Sequence, residues 1–143
     1  MKAAYDSISS NVNANKVVAG KNIEVTPDKN GNGTTVALKD QITLGGETAD
    51  NQVTIDGNAT TITAGDGANK VAIDGSKAAI TAGEGTNKVA IDGTKAAITA
   101  GEGANQVAVD GTNATVTAGT GDNKVTVDGT KGQVIIGEAG KGW

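Results

Sequence analysis

The chain has 143 residues and a net charge of −4, with 22 glycines, no cysteine, no histidine, and twelve basic residues that are all Lys. Disulfides and thiolate metal sites are thereby excluded. Without Arg or a basic stripe there is no phosphate-reading surface, so no nucleic acid partner is expected. Only 36% of the residues are apolar, and Tyr5 and Trp143 are the sole aromatics, too little large side-chain volume for an ordinary self-contained core.

Residues 1–15 open the chain. In AAYDSISSNVNAN, Tyr5, Ile8 and Val12 stand at three- and four-residue intervals, the spacing of a heptad seam, and read as the end of a coiled-coil stalk. Residues 16–50 read as a small β module. Ile23 alternates with Val25, Val36 with Leu38, and Ile42 with Leu44, which predicts three strands, the first two joined as a hairpin across the glycine-rich TPDKNGNG. No apolar run approaches the ~18 residues of a membrane span. Met1-Lys2 is not followed by the apolar core of a signal peptide, so no membrane contact is expected within this segment.

Residues 51–140 are five copies of one 18-residue sentence, counted from Asn51, Asn69, Asn87, Asn105 and Asn123. A nine-residue series of β-branched residues runs inside it: Val53, Ile62, Val71, Ile80, Val89, Ile98, Val107, Val116, Val125 and Val134. Two places after each stands a second apolar or small residue, including Ile55, Ile73, Ile91, Val109 and Val127. Each half-unit therefore predicts a short strand with one apolar face. The first strand of each unit ends in Asp-Gly, at Asp56-Gly57, Asp74-Gly75, Asp92-Gly93, Asp110-Gly111 and Asp128-Gly129. This pair suits a tight turn, in which Gly takes positive φ and the carboxylate bonds local backbone. The second strand ends in a looser Gly-x-Gly. Both a solenoid (a β-roll with two strands per coil) and a meander forming one wall of a β-prism satisfy this pattern.

Three or four Val and Ile per unit are too few to offset the ordering of so glycine-rich a backbone. The apolar face, from Val53 to Val134, is therefore expected to meet sister chains. Three identical walls around an axis would close it. Residues 141–143 form the C-terminal end, where Ala139 has already replaced an expected glycine.

Little in the repeats suggests reactive chemistry. Five equal Asp positions offer no unique acid–base pair, and no catalytic residue, cofactor or metal is assigned. A calcium-binding β-roll would need carboxylates where Asn69, Asn87, Asn105 and Asn123 stand, and Asn supplies only neutral carbonyls. The Asn column is expected to bond its own turns or to stack as an amide ladder. Lys70, Lys77, Lys88, Lys95, Lys124 and Lys131, with Asp66, Glu84 and Glu102, are expected to solvate the outer face. Asn58 and Asn113 fit the N-glycosylation acceptor pattern, a weak signal in a chain this rich in Asn and Thr.

The stretch KVVAGKNIEVTPDKNGNGTTVALKDQITLGG, with the repeats NKVAIDGTKAAITAG and NKVTVDGTKGQVIIG, resembles passenger segments of trimeric autotransporter adhesins of Gram-negative bacteria. The resemblance implies an elongated, repetitive all-β homotrimer. It would be an internal fragment of a fibre anchored in the outer membrane through regions outside it. Its implied work is adhesion to host matrix, a cell-surface receptor or sister bacteria. A phage tail-fibre or spike shaft, and a calcium-dependent β-roll of a secreted protein, are the alternatives.

Overall fold

The structure, a computed structural model, describes residues 1–137; Ala139 and residues 141–143 lie outside them. The described chain is mostly β and forms two units, Met1–Ile42 and a second beginning at Thr43.

In the first unit, α1 (Lys2–Ala14) carries the Lys2–Asp6 ion pair at 2.8 Å on its first turns. Asn15 ends it, with its side-chain amide donating to the Asn11 carbonyl at 2.7 Å. Tyr5, Ile8 and Val12 are 64–70% exposed on this helix. Strands β1 (Ile23–Pro27) and β2 (Thr34–Leu38) pair antiparallel with Val25 opposite Val36, as the alternation predicts. Their loop is closed by the Asp28 N–H, which donates to the Gly33 carbonyl at 2.9 Å.

The third predicted strand, β3 (Gln41–Gly45), is an edge of the long sheet that holds all the repeat strands. The repeats supply β4 (Gln52–Asp56), β5 (Thr61–Ala64), β6 (Val71–Asp74), β7 (Ala79–Ala82), β8 (Val89–Asp92), β9 (Ala97–Ala100), β10 (Val107–Asp110), β11 (Thr115–Ala118), β12 (Val125–Asp128) and β13 (Gln133–Ile136). These strands follow one another in sequence order through an 11-stranded sheet. Adjacent repeat strands are antiparallel. The connectivity is that of a meander and not of a solenoid, whose coils would stack strands two apart in sequence. At ~4.8 Å per step the sheet runs ~48 Å across its strands.

Register follows from the nine-residue alternation. In the aliphatic row, facing residues alternate between seven apart across the Asp-Gly turns, as in Ile73↔Ile80, and eleven apart across the Gly-x-Gly loops, as in Ile80↔Ile91. Directly paired residues share one side of the sheet, and the period of two along each strand then carries the same set of side chains to that side throughout. The result is one unbroken row, Ile55–Ile62–Ile73–Ile80–Ile91–Ile98–Val109–Val116–Val127–Val134, beside a second in which Val and Ala alternate up to the Ile136 pairing with Val125. The opposite side carries Thr54, Thr63, Ala72, Thr81, Ala90, Thr99, Ala108, Thr117, Thr126 and Ile135.

The Asp-Gly turns differ from expectation at their glycine. Positive φ falls four residues after the Asp, at Thr60, Ala78, Ala96 and Ala114 (51–59°), and at Gly132 in the last unit. Gly93 is needed for another reason. Its N–H donates to the Ala78 carbonyl of the preceding turn at 2.8 Å, and a Cβ there would lie 3.0 Å from that oxygen. The Gly-x-Gly loops do use positive φ. Gly83 (φ 82°) also backs onto the Asn87 carbonyl, which a Cβ would approach to 2.7 Å.

Ala96→Gly is accordingly expected to raise stability by about 1 kcal/mol through relief of left-handed strain, and Gly93→Ala to lower it by about 1–3 kcal/mol through the backbone clash. Urea melts of both variants check the opposite signs, and a loss in both would refute this account of the turn.

Candidate interaction surface

Two kinds of side chain define the repeat surface: the Asp column that fixes the turns, and the aliphatic rows that the turns hold in line. Asp92 Oδ1 accepts the Thr94 N–H at 3.0 Å, the Thr94 hydroxyl at 2.7 Å and the Lys95 N–H at 3.3 Å. Asp128 repeats the arrangement with Thr130 (N–H 3.0 Å, hydroxyl 2.7 Å) and Lys131 (3.2 Å). Asp74 accepts the Ser76 N–H and hydroxyl at 3.1 and 2.6 Å. Asp56 accepts the Asn58 and Ala59 N–H groups at 2.9 and 3.0 Å. At Asp110 the amide of Asn113 takes the hydroxyl's place, donating at 2.7 Å. Each carboxylate thus closes its own loop as an Asx turn.

These bonds favour the ionised form. The Ser76 hydroxyl holds the Asp74 carboxyl below its usual value, as the Thr94 hydroxyl does for Asp92, the Asn113 amide for Asp110 and the Thr130 hydroxyl for Asp128. Lys77, Lys95 and Lys131 reach back to the same carboxylates at 3.2, 3.7 and 3.4 Å. These three lysines therefore pair with the turns as well as meeting water, while Lys70 and Lys124 are half-buried.

The Asn column does not form an amide ladder. In a meander, equivalent residues lie two strands apart, ~9.6 Å, beyond amide reach. Instead Asn69, Asn87, Asn105 and Asn123 each end a short 3₁₀ turn, such as Gly85–Asn87, with exposed side chains. Asn51 donates from its side chain to the Thr48 hydroxyl at 3.4 Å. Among the described residues, no three of His, Cys, Asp or Glu gather where a metal could sit. Among them, too, no helix is long and apolar enough to cross a membrane. A hollow between successive turns is lined by Thr94, Lys95, Thr99, Asp110 and Thr112. Its one carboxylate is already engaged by Asn113.

The aliphatic rows carry the main observation. From β4 to β12 their Val and Ile residues are 36–47% exposed, and no apolar side chain among the described residues is buried. The Thr/Ala side is half-buried throughout. The apolar side is thus the barer of the two. Gln52, Lys70, Gln106, Lys124 and the Asp residues of the Asp-Gly turns up to Asp110 are likewise half-buried, and Asp128 is buried.

Sequence reasoning places Val53, Ile55, Ile62, Val71, Ile73, Ile80, Val89, Ile91, Ile98, Val107, Val109, Val116, Val125, Val127 and Val134 together, and the register brings them into one face. It missed the hydroxyl two places on that bonds the carboxylate at Asp74, Asp92 and Asp128, and the positive-φ position two residues further on. Both had a signal: Ser76, Thr94, Thr112 and Thr130 recur at that offset, and Gly132 stands where Thr60 and the alanines bend. Comparison with known protein families, with curated proteins and with solved structures finds no match to this chain.

Depressed carboxyl pKa values mean that the turns add stability fully above the unfolded Asp value of about 3.9, and lose it as pH falls through the folded values. Thermal midpoints are expected to stay level from pH 7 to about 5 and to fall below about 4. Thr94→Val is expected to move the Asp92 titration back up, read by carboxyl-carbon NMR. An unchanged Asp92 titration would show that the hydroxyl is not its cause.

Proposed function

We propose that this chain is a structural and adhesive segment of a bacterial surface fibre, in which three copies pack their aliphatic faces around a common axis. The observation that carries this reading is the bare, continuous Val/Ile face on a sheet with no buried apolar side chain among the described residues. Half-exposed Val and Ile still have about 1 kcal/mol each to gain from complete burial. Rows this long are exceptional on a stable monomer surface.

Closed cyclic symmetry favours a finite bundle, and the resemblance to trimeric autotransporter adhesins supplies the number three. Burying the aliphatic face would leave the Thr/Ala side, the Asp turns and the Gly-x-Gly loops outward. Each 18-residue step then presents the same small polar surface again. Weak contacts to host matrix, a cell-surface receptor or a sister bacterium would add along it through effective concentration. The helix fits the same assembly, since thirteen residues are marginal alone and Tyr5, Ile8 and Val12 could form the seam of a short coiled coil. Anchoring in the outer membrane would come from regions of the fibre outside this sequence.

Light scattering is expected to give a mass three times the 14.0 kDa of one chain. Ile91→Asp, in the middle of the aliphatic row, is expected to abolish the trimer, while Thr99→Lys on the other side preserves it. Beads coated with the parent protein are expected to bind matrix-coated or cell surfaces better than beads carrying the Ile91→Asp chain. A cooperatively folded species of single-chain mass that persists on dilution would overturn the assembly.

A further inference from the structure

The β1–β2 loop contains two Asn-Gly pairs in succession, Asn30-Gly31 and Asn32-Gly33. In such a pair the backbone nitrogen of Gly can attack the side-chain carbonyl of the preceding Asn. The two pairs differ in one respect. The Gly31 N–H donates to the Asp28 carbonyl at 3.0 Å. The Gly33 N–H has no partner among the described residues, and Gly33 takes part in the loop only through its carbonyl, which accepts from the Asp28 N–H. Access does not separate them, because the space where a Cβ would stand is open at both glycines.

From this we infer that Asn32 is a site of spontaneous covalent modification, deamidating through a succinimide with Gly33 while Asn30 is held back by the hydrogen bond on Gly31. The deprotonated Gly33 nitrogen forms a bond to Cγ of Asn32, the Cγ–Nδ2 bond breaks, and ammonia leaves. Water then opens the ring at either carbonyl, giving an aspartyl or an isoaspartyl residue. The net reaction exchanges one side-chain amide and one water for a carboxylate and ammonium, with no oxidant or reductant.

The Asp-Gly pairs of the repeats are sequence relatives of this site, and at four of the five the fold engages the glycine nitrogen. Gly75, Gly93, Gly111 and Gly129 donate their N–H groups to the carbonyls of Thr60, Ala78, Ala96 and Ala114 at 2.8–2.9 Å. Their carboxylates, ionised near neutrality, are also poorer electrophiles than an amide. Both Asn-Gly pairs of the chain lie in the hairpin loop, and Asn32 is the one whose glycine nitrogen is left unengaged.

The product would alter that loop. A new carboxylate at position 32 would arise beside Asp28, whose Oδ2 accepts the Asn32 N–H at 3.2 Å, and the two like charges repel. The isoaspartyl form also adds a methylene to the backbone between Asp28 and Gly33, whose hydrogen bond closes the hairpin. Age would therefore loosen this end of the β1–β2 pair, independently of how the repeats assemble.

The full chain, incubated at mildly alkaline pH, is followed by peptide mapping with fragmentation that separates aspartyl from isoaspartyl products. In the folded protein Asn32 is expected to convert about fivefold faster than Asn30, the factor carried by one net backbone hydrogen bond. In urea the two rates are expected to converge. Asn32→Gln is expected to remove the fast phase and Asn30→Gln to leave it. Equal rates in the folded protein, a faster Asn30, or a preference that survives in urea would each overturn the assignment.

Discussion

Strand pairing between immediate sequence neighbours is the constraint on which the repeat region rests. Each strand is only four or five residues long, so a pair of strands offers few hydrogen bonds and little area, and a two-stranded ribbon of this size would be marginal alone. Stability has to come from continuation. Every inner strand satisfies both of its edges, and the regular alternation of seven- and eleven-residue offsets between facing aliphatic residues keeps each added strand in phase with the last. A one-residue slip in the pairing of any strand would turn its aliphatic residues onto the Thr/Ala side.

The turns therefore specify register as well as reversing the chain. An Asp carboxylate collecting one or two N–H groups, with a hydroxyl or amide where one is at hand, fixes loop length. The contact of Gly93 with Ala78 locks each turn to the one before. Turn-to-turn contacts of this kind extend the ladder past the ends of the strands, and Thr112 adds another through its hydroxyl bond to the Lys95 carbonyl at 3.1 Å. Strain is accepted at Ala78, Ala96 and Ala114 in exchange. The last unit, with Gly132 at that place, is relieved of it.

The strands, their facing residues and the hairpin at Pro27–Thr34 were legible in the sequence, because a period of two within short runs leaves little choice of face. Three features were not. Gly57 and its equivalents were read as positive-φ residues because that is glycine's commonest service, whereas at Gly93 the missing Cβ makes room for a neighbouring carbonyl that only the folded ladder reveals. By sequence, β3 groups with the hairpin because it follows β2 directly. Its partner, β4, lies beyond the 3₁₀ turn Ala49–Asn51, and local pattern does not report which neighbour an edge strand chooses. The absence of a buried core could be inferred only as a shortage of apolar side chains. That the aliphatic side is also the barer one emerges only once the ladder is packed.

Solenoid and meander share the same nine-residue spacing, so periodicity could not separate them, but electrostatics bears on the choice. In a solenoid, each Asp of the column would sit directly above the next at ~4.8 Å, with five carboxylates in a stack and no cation between them. The meander interposes a strand. Asp74 faces Thr61 on one side and Ala79 on the other, and Asp92 faces Ala79 and Ala97. Successive carboxylates are thereby moved to ~9.6 Å, about one Debye length at 0.1 M salt. The pairing that places small residues between acids on one side is the pairing that aligns Ile with Ile on the other. A single register thus separates like charges and gathers the aliphatic surface that a partner chain would cover.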